Sequence, residues 1–178
     1  MTSTQTGAIF FLTGPPGVGK STVAKALANR FDRAIHIELD RIRLNVVKGL
    51  SLPGPGNMTE ETTSQLNLAH VSAGLQAKTY ADAGFVVVVE HASHAEYIEK
   101  FKACAGLINV VCLNAETDVN IERNALRASS SLDAEGLALI IPMLAAGFRD
   151  EFESAGIPSV DSTHLSVEET VDQILNHV

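Results

Sequence analysis

Apolar and polar positions switch repeatedly between short unbroken runs and helical spacing. Ala8–Thr13 is a compact apolar run and predicts a first strand, and Ser21–Phe31 has the periodicity of a helix. Ala34–Leu39 predicts a second strand, followed by a short helix over Arg41–Val47. Gly49–Asn57 is rich in Gly and Pro and predicts a loop. Thr59 then has the character of an N-cap, with Glu60 and Glu61 in a first turn that the helix dipole favours. That helix is expected to run to about Ala83.

The second half repeats the alternation. Phe85–Val89 is almost wholly β-branched, as in a strand buried on both faces. Ala95–Ala105 predicts a helix, Ile108–Leu113 a fourth strand and Thr117–Arg127 another helix. Ala128–Leu132 is a small polar break, and Asp133–Ser154 is helical with a kink or break expected at Pro142. Pro158–Asp161 predicts a short fifth strand, and Ser166–Asn176 a last helix opened by the capping box of Ser166 and Glu169. Strands alternating with helices imply an α/β three-layer sandwich around a parallel sheet. Ligands of such sheets bind beyond the carboxyl ends of the strands.

Composition adds limits to this picture. A chain of 178 residues with 46% hydrophobic and 19% charged residues is expected to form one globular domain with one core. The net charge is −8 and there is no basic run, so no nucleic-acid partner is expected. Cys104 and Cys112 fit neither a redox pair nor a zinc site, and Cys112 is expected in the core. The first residues have no basic region ahead of an apolar stretch, and no run is long enough to span a membrane. A cytoplasmic protein, monomer or homodimer, is the expectation.

The strongest chemical signal is GPPGVGKS, Gly14 to Ser21, between a strand and a helix. Gly14, Pro15, Pro16, Gly17, Val18, Gly19, Lys20, Ser21 and Thr22 are expected to cradle nucleotide phosphates. The glycines let backbone N–H groups turn inward as an anion nest. Lys20 carries positive charge to the β- and γ-phosphates, and the Ser21 hydroxyl suits magnesium. Asp40 follows the second strand, with Arg43 at i+3 on the same face if the segment is helical. Asp40 also suits a helix N-cap, and the two roles can coexist. Glu90 and His91 end the third strand. A zinc site at Glu90, His91 and His94 is not expected, since three residues so close in sequence rarely complete a ligand set. Arg123 and Arg127 share a helix face at i, i+4 ahead of the polar break. His70 has the setting of a surface or satisfied core residue.

With these residues in order, the chain resembles the small P-loop kinases: adenylate kinase, the shikimate and gluconate kinases and, most closely in pattern, the chloramphenicol phosphotransferases. The resemblance follows the order of elements along nearly the whole chain, with few specific motifs and a loosely matching middle third. It implies a five-stranded P-loop sheet of order 2-3-1-4-5, ATP with Mg2+, and a small-molecule hydroxyl acceptor. It implies a lid at about 128–134 and an acceptor-binding region at about 40–83. Asp40 would take the acceptor's proton, and Arg43 would read an anionic or hydroxyl-rich acceptor. Glu90 would orient magnesium-bound water together with Ser21. His91 stands where the chloramphenicol phosphotransferases carry a second acidic residue, and is expected to contact substrate or to cap the next helix. Arg123 would stack on adenine, and Arg127, with Arg149 as second candidate, would clamp the transferring phosphate. The turn at Asp161, Ser162 and Thr163 would pass the adenine, although these residues also make ordinary turns.

Three functions follow. The first is ATP-dependent phosphoryl transfer to a small-molecule hydroxyl. The second is a nucleoside monophosphate kinase, for which Arg43 is the one evident phosphate ligand. The third is an ATP-binding switch with weak or no transfer, to which His91 and the uncharged lid tip Ser129–Ser131 point.

Overall fold

The structure is a computed structural model that describes residues 6–54, 58–125 and 134–177, with only the backbone of 134–140. Five strands form one parallel sheet in the order β2-β3-β1-β4-β5. They are β1 (Ile9–Thr13), β2 (Ala34–Glu38), β3 (Val86–Glu90), β4 (Asn109–Asn114) and β5 (Ser159–Asp161). β1 lies in the middle, with Phe11 opposite Val89 on one side and Val110 on the other. The expected strand order is therefore present.

Seven helices accompany the sheet among the described residues: α1 (Lys20–Ala28), α2 (Leu39–Leu44), α3 (Glu60–Asp82), α4 (Ala95–Ala105), α5 (Thr117–Ala125), α6 (Ala134–Ser154) and α7 (Val167–Asn176). Alternation within the strands separates two cores. Phe11, Val87 and Val89 face α3, α4 and α6, where they meet Phe101, Phe148 and Phe152. Phe10, Leu12, Val88 and Val111 face α1 and α7, where they meet Leu27, Val171 and Ile174. Val87, Val88 and Val89 are all fully buried, as a strand covered on both faces requires. Cys112 lies in the core, and burial pushes its thiol up to about 12.

Small residues let α3 and α4 approach closely. Ala69, Ala73, Gly74, Ala77 and Ala81 of α3 are buried, and a Cβ on Gly74 would sit 2.6 Å from the Phe101 carbonyl oxygen. Both expected caps form. Thr59 accepts from the Thr62 N–H at 3.1 Å, and Ser166 and Glu169 close a reciprocal capping box.

One expectation is corrected, and of the kink or break expected at Pro142 the break does not occur. α2 begins at Leu39 rather than Arg41, because Leu39 is fully buried and draws the first turn onto the core. Glu38 therefore holds the N-cap position, and Asp40 lies within the first turn. α6 is not broken at Pro142 but continues through it. Ile141, Ala145, Phe148 and Phe152 form a buried stripe across that point, and this packing outweighs the roughly 3 kcal/mol that an interior proline costs. No helix among the described residues is long and apolar enough to cross a membrane.

Candidate functional site

The carboxyl ends of the strands bring the sequence candidates to one edge of the sheet. β1 ends at Thr13 and passes into the glycine-rich turn that opens α1. Gly14 has φ +133° and Gly17 φ +84°, regions that side chains rarely adopt. Space is closed there as well: a Cβ would meet the Leu113 carbonyl oxygen at 2.2 Å from Gly14, and that of Asn120 at 2.1 Å from Gly17. Glycine at these two places lets the loop lie against β4 and α5.

Lys20 is 7% exposed, and its ammonium group donates to the carbonyl oxygens of Gly14 and Pro15 at 2.9 Å each. The Ser21 hydroxyl donates to Glu90 Oε1 at 2.9 Å, joining α1 to the end of β3. A hydroxyl and a carboxylate are hard oxygen donors of the kind magnesium takes, so these residues fit that ion directly or through its water.

Asp40 and Arg43 do share one face of α2. Arg43 Nη1 donates to Asp40 Oδ1 at 3.0 Å, and His91 Nε2 lies 3.3 Å from the same oxygen. Arg43 is 6% exposed and its Nε has no partner, whereas the Asp40 side chain is 65% exposed. Desolvation raises the Asp40 pKa, but the hydrogen bond and charge of His91, then the charges of Arg43 and Lys20, bring it down to about 2. The carboxylate is thus ionised through the whole neutral range and keeps one oxygen clear of these partners.

His91 and His94 diverge. His91 turns to Asp40, whereas His94 Nδ1 pairs with Glu151 Oε2 at 2.6 Å, and Oε1 of the same carboxylate caps α4 at the Ala95 N–H. His91 therefore does not cap α4; His94 holds the N-cap position.

A second cluster lies by β5. Arg123 donates to the hydroxyl and the carbonyl oxygen of Ser162, at 3.2 and 3.0 Å. Asp161 Oδ1 accepts from the N–H and hydroxyl of Thr163, at 2.9 and 2.6 Å; burial raises its carboxyl, but these two bonds, with the charges of Arg149 and His164, together bring it below the usual range. Arg123 and the 161–163 turn thus meet, although much of their bonding is spent within the turn. Arg149 is exposed on α6. Arg127 and the lid up to residue 133 lie outside the described residues.

A phosphate-type loop at the centre of a 2-3-1-4-5 sheet now has a sequence-level counterpart. The AAA domain family matches residues 9–139. The chain belongs to that family.

Among solved structures, this AAA domain chain is similar to a sugar kinase from Janibacter sp. HTCC2649, at 16% identity over 96% of this chain and 94% of that one, with a TM-score of 0.68. It is similar to a gluconokinase from Sinorhizobium meliloti 1021, at 22% identity, 97% and 91% coverage and a TM-score of 0.64. It is also similar to a shikimate kinase from Acinetobacter baumannii in complex with shikimate, at 17% identity, 97% and 93% coverage and a TM-score of 0.65. The fold is that of the small P-loop kinases. No curated protein sequence matches the chain.

Sequence reasoning did not single out Thr13 or Ser93, while His70, read as a surface or satisfied core residue, is a satisfied core residue bonded to Ser93. Thr13, His70 and Ser93 are all at most 1% exposed and hydrogen-bonded to one another or to His91. The signal available was Ser93 itself, a hydroxyl three residues past Glu90 in the turn after a buried strand.

Proposed function

We propose that the chain transfers the γ-phosphate of ATP to a hydroxyl group of a small molecule. The observation that carries this reading is the ionised Asp40, exposed beside the phosphate loop, with Lys20 among the charges that act on it. In this reading the loop 14–21 holds the triphosphate, and Ser21 and Glu90 hold magnesium. Magnesium, when bound, neutralises charge on the β- and γ-phosphate oxygens.

The acceptor hydroxyl donates to Asp40 and is thereby aimed at the γ-phosphorus. Its oxygen forms the new O–P bond as the bond to the leaving oxygen of ADP breaks, and the proton passes to the carboxylate. A carboxylate with a pKa of about 2 is a weak base. Phosphoryl transfer is mainly positioning and charge stabilisation, so a weak base suffices where the proton moves late. Orientation of the hydroxyl is then the larger part of Asp40's role.

Arg43 reads the acceptor from beside Asp40, and Arg127 meets the transferring phosphate. Arg123 and the turn 161–163 flank the base. A nucleoside monophosphate acceptor is the second reading, favoured by the guanidinium charge of Arg43 beside Asp40. It is weakened by the commitment of Nη1 to Asp40.

The test is ADP release from MgATP across a panel of sugars, sugar acids, nucleosides and nucleoside monophosphates, with Lys20→Ala as the blank. Release with a hydroxyl compound lacking phosphate supports the first reading. Release confined to nucleoside monophosphates selects the second.

A further inference from the structure

Behind Asp40 runs a buried chain of hydrogen bonds that phosphate binding does not require. His70 Nδ1 lies 2.7 Å from the Leu66 carbonyl oxygen, and its Nε2 lies 2.7 Å from Ser93 Oγ. The same Ser93 Oγ lies 2.7 Å from His91 Nδ1. His91 Nε2 is then left facing Asp40 Oδ1 at 3.3 Å and Arg43 Nη1 at 3.4 Å.

The protons along this chain follow from the acceptors. A carbonyl oxygen only accepts, so His70 Nδ1 carries a hydrogen. His70 is fully buried, and desolvation, then the charge of His91, lowers its pKa to about 4, so the ring is neutral and Nε2 is an acceptor. The Ser93 hydroxyl therefore donates to His70, which leaves its oxygen to accept from His91 Nδ1–H. One carbonyl oxygen on α3 thus makes Nδ1 the hydrogen-bearing nitrogen of His91 and leaves Nε2 as an acceptor for Arg43 Nη1.

Ser93 is also tied to the root of the phosphate loop. The Thr13 hydroxyl donates to the Ser93 carbonyl oxygen at 2.8 Å and accepts from the Ser93 N–H at 3.2 Å. The His91 N–H donates to the Leu12 carbonyl oxygen at 3.2 Å. His70 packs between Phe11 and Tyr97, at centroid distances of 6.3 and 5.4 Å, which holds its ring plane.

We infer that Ser93 and His70 are positioning residues for Asp40, acting through His91 and Arg43: they direct the His91 Nδ1–H to Ser93, so that Nε2 accepts from Arg43 Nη1, the nitrogen that also donates to Asp40 Oδ1. This holds the carboxylate by one oxygen and leaves Oδ2 for the acceptor hydroxyl. The role in transfer rests on the reading given under Proposed function; the hydrogen-bond order does not.

Two measurements on the full chain separate these parts. Long-range 1H–15N correlation of the imidazole nitrogens should show His91 Nδ1 as protonated. Ser93→Ala should lower that fraction by on the order of twofold, and Ser93→Thr should restore it. An unprotonated Nδ1 in the wild type, or no change in Ser93→Ala, overturns the inference. If Ser93→Ala does not fold, His70→Phe keeps the ring packed, removes the Nε2 acceptor and should give the same shift.

The second readout is MgATP hydrolysis with water as acceptor. Ser93→Ala should lower kcat on the order of tenfold, with KM for ATP unchanged and Ser93→Thr recovering most of the loss. A raised KM with kcat kept assigns Ser93 to the phosphate loop instead and overturns the positioning role. The expected nitrogen signals in a protein that neither binds nor cleaves ATP would leave the hydrogen-bond order standing and remove the kinase reading.

Discussion

Asp40 meets both His91 and Arg43 through a single oxygen, Oδ1, and that asymmetry determines what substitutions do there. Asp40→Asn keeps the size but removes the charge and the proton acceptor, so kcat for transfer should fall by about 10²-fold, the lower end for a positioned base, because a pKa of about 2 limits proton affinity. Steady-state ADP release with the identified acceptor checks this, and full turnover by the variant contradicts it. His70 also acts on stability. Its pKa is lowered from 6.5 to about 4, so between those values the unfolded chain binds the proton and the folded one does not. Stability from this group is therefore full above about 6.5 and declines as the pH falls toward 4, by at most about 1.4 kcal/mol per pH unit. The Tm of the wild type should fall more steeply over that range than that of His70→Phe, and equal slopes contradict the assignment. Lys20 and Ser21 were legible because their motif is local. Ser93 with His70 and Thr13 was not, since these contacts join residues 23 and 80 positions apart and only the sheet brings them together.

Among the elements, those with internal signals read well. Thr59 and Ser166 open their helices through bonds to residues three positions on, which sequence spacing shows directly. The start of α2 reads less well because tertiary burial overrides a local rule and Leu39 draws α2 inward; at Pro142, where the sequence predicts a kink or break, the stripe Ile141 to Phe152 carries α6 onward without a break. The same logic gives an element-level prediction. Ala is the better helix former by about 1 kcal/mol, yet Gly74→Ala should destabilise the protein by about 1–3 kcal/mol. The added Cβ would lie 2.6 Å from the Phe101 carbonyl oxygen and 2.9 Å from Cys104 Cβ, and the α3–α4 crossing has little room to open. Urea unfolding reads the effect as a lower midpoint; an unchanged or raised midpoint contradicts the close crossing.

At the scale of the molecule, one parallel sheet directs Thr13, Asp40, Glu90 and the 161–163 turn to the same edge, though they come from four different strand ends. Alternating strands and helices made that architecture legible, and the family resemblance supplied the strand order. The direction of His91, which sequence spacing did not predict, gives Asp40 a second partner besides Arg43. The central claim is that this edge moves phosphate from ATP to a hydroxyl. It is tested most directly by following the γ-phosphate of labelled MgATP across the hydroxyl-compound panel. The account predicts label covalently attached to one class of acceptor with the wild type and none with Lys20→Ala. Label that stays in bound ATP, or leaves only as inorganic phosphate with every acceptor, would contradict it and favour a nucleotide-binding switch.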